Sequence, residues 1–93
     1  MSSYEEEIGE LRKKINRLNF EIVEKLSDRV NIALRIGNVK HKHGHPIVDR
    51  SREAKVYQQV RGLAQEHKID SEGVERVFRE IIRLCTEEEL EEK

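Results

Sequence analysis

Apolar residues recur along the first half of the chain at the spacing of an α-helix. The stripe consists of Ile8, Leu11, Ile15, Leu18 and Ile22. These positions share one face at about 100° per residue, and the segment from about Tyr4 to about His43 contains no proline. The pattern therefore predicts one helix of nearly forty residues, a rod of about 60 Å.

The length of this predicted rod bears on assembly. A compact domain of 93 residues is only about 25–30 Å across. One short chain cannot cover the apolar face of a rod twice as long. We therefore infer an intertwined, obligate helical homodimer.

Two shorter helices are predicted to follow. Gly44-His45-Pro46 ends the first helix, because glycine suits the C-terminal cap and proline cannot continue the helix. The second helix starts with Asp49 or Ser51 as its N-cap, and the third starts with Asp70 or Ser71 and runs into 86–93. The second apolar stripe is Val56, Val60, Leu63 and His67, with Tyr57 and Ala64 beside it; the third is Val74, Val77, Phe78, Ile81, Ile82, Leu84 and Cys85. His67 is expected to be a buried, hydrogen-bonded histidine. The fold class is all-α, a single domain over residues 1–93.

Two cations interrupt the first apolar stripe. Continued in register, the stripe reaches Arg29, Ala33, Ile36 and Lys40, and Arg29 and Lys40 lie about 20° apart on one face. An unpaired charge on a buried face costs several kcal/mol, so it needs an anionic partner or a function. Two explanations stay open: a bound anionic ligand, or ion pairs with carboxylates of a neighbouring helix.

Arg12 occupies a different position on the same helix. It points about 100° away from Arg29 and lies about 25 Å along the rod. Within one chain Arg12 and Arg29 cannot serve one site, whereas in an antiparallel helix dimer Arg12 can reach the partner's site. Taken alone, Arg12 is an exposed edge residue.

Composition and charge exclude several classes of function. Eighteen basic and nineteen acidic residues give a net charge of −1, which argues against nucleic acid or an anionic membrane surface as partner. No apolar run is long enough to span a bilayer, and no signal-peptide pattern opens the chain. Cys85 is the one cysteine, so no intrachain disulfide forms and the cytoplasm is the expected compartment. His41, His43 and His45 do not share one helical face, so no metal site is expected.

Short motifs along the whole chain carry a resemblance. They are Leu11-Arg12-Lys13-Lys14-Ile15, Leu26-Ser27-Asp28-Arg29, Gly37-Asn38-Val39-Lys40, Pro46-Ile47-Val48-Asp49-Arg50-Ser51-Arg52-Glu53 and Phe78-Arg79-Glu80-Ile81-Ile82. In this order and spacing the chain resembles the all-helical class of chorismate mutases. The resemblance implies an intertwined dimer that rearranges chorismate to prephenate, in phenylalanine and tyrosine biosynthesis, with no cofactor and no metal. It also favours the ligand over structural ion pairs at Arg29 and Lys40.

The resemblance implies a role for each cation. Arg12 from one chain and Arg29 from the other clamp substrate carboxylates, and Arg52 completes the cationic wall. Lys40 contacts a carboxylate and the ether oxygen, where negative charge grows as the C–O bond breaks. The remaining implied contacts are Glu53 to the substrate hydroxyl, Asp49 beside it, and Ile82 in the apolar wall.

Two positions depart from the pattern common in bacterial members. Cys85 stands where several members carry serine, and Glu89 stands where many carry a glutamine that donates to the ether oxygen. A carboxylate would repel the developing anion, so Glu89 is expected to act in its protonated form. A shifted third helix would place Glu88 there instead.

A rival function from another class also fits the pattern. In a non-catalytic helical dimerisation module, the stripe charges would only set register and partner choice. Neutral replacement of Arg29 or Lys40 would then unfold the dimer, whereas in an enzyme it would abolish turnover and leave the dimer folded.

Overall fold

A computed structural model describes residues 3–91 of the chain. It contains helix α1 (Tyr4–Lys42), helix α2 (Arg50–Glu66) and helix α3 (Ser71–Glu91). No strand occurs among these described residues. The predicted all-α chain of one long and two shorter helices is confirmed, and the last two residues of the predicted third helix, 92 and 93, lie outside the described range.

The ends of α1 are set by local hydrogen bonds. The Ser3 side chain accepts from the backbone N–H of Glu6, 3.2 Å away, at the N-terminus. At the C-terminus the His45 N–H donates to the Lys40 carbonyl at 2.8 Å and the Gly44 N–H donates to the His41 carbonyl at 3.2 Å. This paired pattern needs a left-handed residue, and Gly44 supplies it at φ 70°. The predicted glycine stop is confirmed.

Aspartates cap the two shorter helices. Asp49, rather than Ser51, is the N-cap of α2, and its side chain accepts from the Arg52 N–H at 3.0 Å. The Asp70 side chain accepts from the Gly73 N–H at 2.7 Å and so caps α3. Between them, α2 ends in the same hydrogen-bond pattern as α1, but the left-handed residue there is Lys68 at φ 57°.

The buried face of α2 differs from the predicted stripe. Val56, Val60 and Ala64 are buried, whereas Leu63 is 45% exposed. His67 is exposed and forms the C-cap, because α2 ends at Glu66. The expectation of a buried His67 is therefore wrong: the inward face follows spacings of four residues, which places Ala64 rather than Leu63 inside.

Helix α3 packs against both other helices and holds the fold together. On the seam with α2, the Glu75 carboxylate accepts hydrogen bonds from Arg61 of α2 and Arg79 of α3. The Arg79 guanidinium also lies 4.3 Å from the centre of the Tyr57 ring of α2. These contacts form a charged clamp, Tyr57–Arg61–Glu75–Arg79, on the α2–α3 seam.

The N-terminal half of α1 projects from this packed part. The chain measures 65 × 27 × 15 Å, so the predicted long rod is confirmed. Along it the apolar stripe lies open: Leu11 is 55% exposed, Ile15 55%, Leu18 51% and Ile22 56%. Burying such a stripe is favourable, at about 25 cal/mol per Å² of apolar surface.

Candidate active site

A cavity of about 280 Å³ lies where all three helices approach one another. The C-terminal half of α1, the first turns of α2 and the last turns of α3 form its walls. Its lining residues are Arg29, Ile32, Ala33, Ile36, Lys40, Ile47, Asp49, Arg52, Glu53, Val56, Ile82, Cys85, Thr86 and Glu89. The lining of this central cavity thus combines apolar and charged side chains, which suits a small polar molecule with an apolar ring.

Three cations face the central cavity without a carboxylate partner. Arg29, Lys40 and Arg52 take part in no ion pair within residues 3–91. Arg29 Nη1 instead donates to the sulfur of buried Cys85 at 3.0 Å, and Lys40 Nζ donates to the Ile47 carbonyl at 2.8 Å. Each contact orients a cation while leaving its charge uncompensated, so the cavity wall attracts anions.

Two acids on the α2 side are already engaged by neighbours. Asp49 serves as the N-cap of α2, so one of its oxygens is held by the backbone. The Glu53 carboxylate accepts from Arg50 Nη1 at 3.0 Å, and the Glu53 side chain is 17% exposed while that of Arg50 is 83% exposed. Arg50 therefore lies on the solvent side of Glu53 and binds one oxygen of its carboxylate. The second carboxylate oxygen of Glu53 remains free to accept a hydrogen bond.

Glu89 on α3 is the acid without a hydrogen-bonding partner. Its Oε2 atom is buried and has no partner among the described residues. Burial raises the pKa of the Glu89 carboxyl above its ordinary value, even though Lys40 and Arg29 nearby act to lower that pKa. The environment favours the neutral acid, which carries one O–H donor.

The sequence-predicted site residues divide into two groups. Arg29, Lys40, Asp49, Arg52, Glu53, Ile82, Cys85 and Glu89 all line the central cavity. Arg12 does not: it is exposed on the projecting half of α1. Glu88, the alternative to Glu89, is absent from the cavity lining. The individual roles of these residues remain predictions.

Several contacts at the cavity escaped the sequence reasoning. The Ile47 carbonyl beneath Lys40 depends on loop geometry that no spacing rule supplies. The Arg50–Glu53 pair has the i,i+3 spacing of neighbours on one helix face, so helix periodicity could have indicated it. Gly37 is buried directly against Glu89. It carried a signal, because a glycine inside a helix weakens the helix and needs a packing or functional reason.

Two features are absent from the described part of the chain: a cluster of metal-ligating side chains and a membrane-spanning helix. No group of three or more histidine, cysteine, aspartate or glutamate side chains within residues 3–91 is placed to hold a metal ion. None of the helices formed by those residues is long and apolar enough to cross a bilayer.

Comparison with known proteins gives consistent matches. The family model described as "Chorismate mutase type II" matches residues 11–90. A bifunctional chorismate mutase/prephenate dehydratase of Aquifex aeolicus is 36% identical over 83 residues, which cover 86% of this chain and 23% of that protein. A chorismate mutase of Methanocaldococcus jannaschii is 31% identical over 77 residues, covering 83% of this chain and 78% of that protein. A T-protein of Haemophilus influenzae is 32% identical over 81 residues, covering 87% of this chain and 22% of that protein. The chain thus spans less than a quarter of two of these relatives and more than three quarters of the third.

Proposed function

Because the chain belongs to the chorismate mutase type II family, we propose that its central cavity catalyses the rearrangement of chorismate to prephenate. In this isomerisation one C–O bond of the substrate ether breaks as one C–C bond forms, and no atom is gained or lost. The reaction needs no nucleophile, cofactor or metal. The protein must hold the reactive conformer and stabilise the charge that develops on the ether oxygen.

The observation that carries the proposal is the set of three unpaired cations around one cavity, Arg29, Lys40 and Arg52. Chorismate is a dicarboxylate, and a guanidinium binds both oxygens of a carboxylate in a planar fork. Arg29, oriented by Cys85, and Arg52 bind the carboxylates. Lys40 has three donor hydrogens, so it can keep its bond to Ile47 while donating to a carboxylate and to the ether oxygen.

Glu89 completes the electrostatic part of the mechanism. In its protonated form it donates to the ether oxygen beside Lys40, and so stabilises the same developing charge. Its buried oxygen and raised pKa support this role, since both favour the neutral, hydrogen-bond-donating form more than water would. Activity then requires the protonated form and declines as pH rises through the pKa of Glu89.

The opposite side of the central cavity binds the substrate hydroxyl. Glu53 accepts its hydrogen bond, held in place by Arg50, and Asp49 lies beside it at the start of α2. Ile82 and the apolar residues of α1 contact the ring. The free thiol of Cys85 fits a reducing compartment, and we assign the protein to the cytoplasm.

The active assembly in this proposal is a homodimer in which each site receives Arg12 from the partner. Two features support it: the open apolar stripe from Leu11 to Ile22, and the position of Arg12 far from its own chain's cavity. A second copy lying antiparallel along α1 would cover the stripe and bring Arg12 towards the partner's Arg29.

Purified protein tests the activity directly. Added to chorismate, it should remove the absorbance of chorismate and produce prephenate, identified by chromatography against an authentic standard. A folded dimer that leaves chorismate unchanged would favour the non-catalytic dimerisation module instead.

A mixing experiment tests whether Arg12 acts in trans. Chains carrying Arg12→Ala and chains carrying Lys40→Met should each be inactive alone. After joint refolding, half of the dimers pair the two variants, and one of their two sites is intact. Activity should recover to about one quarter of the wild-type value. No recovery from two inactive variants would place Arg12 in its own chain's site, and an Arg12→Ala protein that is active alone would place Arg12 outside catalysis.

A further inference from the structure

Gly37 occupies an unusual place for a glycine. It lies within α1, five residues before the helix ends, and it is buried. Glycine is a poor helix former because it loses more backbone freedom on folding than alanine does. Its backbone here is that of an ordinary helix, so nothing in the conformation requires glycine. The reason must lie in what it contacts.

The contact is with Glu89. A Cβ atom added at Gly37 would lie 3.3 Å from Cγ, 3.4 Å from Oε2 and 3.5 Å from Cβ of Glu89. All three nearest atoms belong to that one side chain. The 3.3 Å distance to Cγ is shorter than an ordinary van der Waals contact and the 3.4 Å distance to Oε2 is at its lower limit, so the Glu89 side chain would have to shift by a few tenths of an ångström.

We propose that Gly37 is a positioning residue for Glu89: the missing side chain lets the Glu89 carboxyl lie against the α1 backbone with its Oε2 atom buried, facing the reacting ether oxygen. This inference rests on the function proposed above. It deepens that proposal by naming Gly37 as the residue that sets where the hydrogen-bond donor Glu89 lies and how readily its carboxyl ionises.

The surroundings of Glu89 set the direction in which Gly37→Ala should change the ionisation of its carboxyl. Glu89 shares the central cavity with Arg29 and Lys40 of α1 and with Asp49, Arg52 and Glu53 at the start of α2. Its outer side borders a smaller cavity of about 130 Å³ that His41 and His45 also line. An alanine methyl group at position 37 would move the carboxyl away from the α1 backbone against which Oε2 is buried, and so towards water. Better solvation favours the charged form.

Gly37→Ala tests the inference, with Gly62→Ala as the matched control. Gly62 is an exposed glycine of α2, and a Cβ atom added there meets nothing within 4 Å. With uniformly ¹³C-labelled protein, NMR follows the titration of the Glu89 carboxyl, which is assigned from its loss in Glu89→Gln. Gly37→Ala should lower the Glu89 midpoint by about half a pH unit, and Gly62→Ala should leave it unchanged.

The same shift should appear in catalysis. The alkaline limb of the kcat/KM profile should move down with the NMR midpoint, giving about threefold less activity above it. An unchanged Glu89 titration in folded Gly37→Ala protein would overturn the inference. A shifted titration in a protein without mutase activity would instead keep the positioning role and refute the proposed function.

A second pair of variants keeps the test decisive if Gly37→Ala folds poorly. In the Glu89→Ala background the crowded side chain is gone, so Gly37→Ala should raise the midpoint temperature of unfolding. In wild type the same change should give a smaller rise or a fall. Equal effects in the two backgrounds would show that Glu89 is not what position 37 accommodates, and would overturn the inference.

Discussion

The two ends of α3 place the same kind of side chain in opposite environments. Near its start, Glu75 accepts hydrogen bonds from Arg61 and Arg79, and these bonds, with the Arg61 contribution first, hold the Glu75 pKa below its ordinary value. Near its end, the Oε2 atom of Glu89 is buried without a hydrogen-bonding partner among the described residues, and burial raises the pKa of this carboxyl. Two glutamates on one helix are thus tuned in opposite directions, the first by partners and the second by burial.

The arginines of the two regions show the same division. Those of the charged clamp, Arg61 and Arg79, are paired with the protein's own carboxylate. Those of the central cavity, Arg29 and Arg52, have no carboxylate partner within residues 3–91. The paired charges join α2 to α3. The unpaired charges line the cavity, where the proposed function has them bind the carboxylates of the substrate. Pairing, rather than residue type, separates the arginines of the charged clamp from those of the central cavity.

The sharpest test replaces a cavity cation with a neutral side chain of similar length. Lys40→Met or Arg29→Met should lower kcat/KM by about 10²–10³-fold, because each removes an interaction with developing or fixed negative charge. The dimer should stay folded, since no protein carboxylate loses its partner. The matched clamp variant Arg79→Met should do the reverse, losing thermal stability while the folded protein keeps its activity. If the cavity variants unfold, Arg29 and Lys40 have a structural role instead.

The second test concerns the pH dependence of Glu89. In wild type the rate should decline as pH rises through the Glu89 pKa, by about tenfold per pH unit well above it. Glu89→Gln keeps a neutral donor at all pH values, so this decline should disappear. Steady-state rates measured from acid to mildly alkaline pH decide the matter. A flat wild-type profile, or an unchanged decline in the variant, contradicts the assignment.

The third test concerns the pH dependence of stability at Glu75, whose pKa is shifted in the opposite direction to that of Glu89. Its folded-state pKa is lowered, so its contribution to stability is present above the unfolded-state pKa and is lost as pH falls through the folded-state pKa. Glu75→Gln should lower the midpoint of chemical unfolding at neutral pH and make stability less sensitive to acid. Its activity should match wild type wherever it is folded. A change in kcat/KM comparable to that of a cavity variant would end the distinction between the two regions.

The smallest expected effect lies in the turn between α2 and α3. Lys68 is held in the left-handed conformation, which glycine adopts more easily. Lys68→Gly should therefore stabilise the protein by about 0.5–1 kcal/mol, after the greater freedom of glycine in the unfolded chain is subtracted. Lys55→Gly, in the middle of α2, should instead destabilise it by about 1 kcal/mol. Thermal unfolding measures both, and activity should not change in either.

The helices themselves followed from local rules in the sequence. The glycine stop at Gly44 depends on neighbours within six residues, so the sequence predicted it directly. For the N-cap of α2 the sequence left Asp49 and Ser51 open, and the structure identifies Asp49. The inward face of α2 was less predictable: Val56 and Val60 were placed correctly, but His67 was not. Which side of a short helix faces inwards depends on the angle at which α3 packs against it, and periodicity alone cannot supply that angle.

The cavity residues show the same limit. Spacing placed Arg29 and Lys40 on one face of α1, but it left open whether they bind a ligand or a neighbouring carboxylate. The resemblance to a known family favoured the ligand. The tertiary structure added that no carboxylate of residues 3–91 pairs with either cation, and that Cys85 and the Ile47 carbonyl hold them instead.

By itself, the amino-acid sequence determined three helices, their ends and the long rod of α1, because these depend on periodicity and on hydrogen bonds between near neighbours. Only the tertiary structure decided which cations of α1 stay unpaired, how Cys85 orients Arg29, and why Gly37 lies against Glu89. Those properties arise between residues far apart in the chain, where burial and distance set the energy of a charge. Helix periodicity carries no information about either.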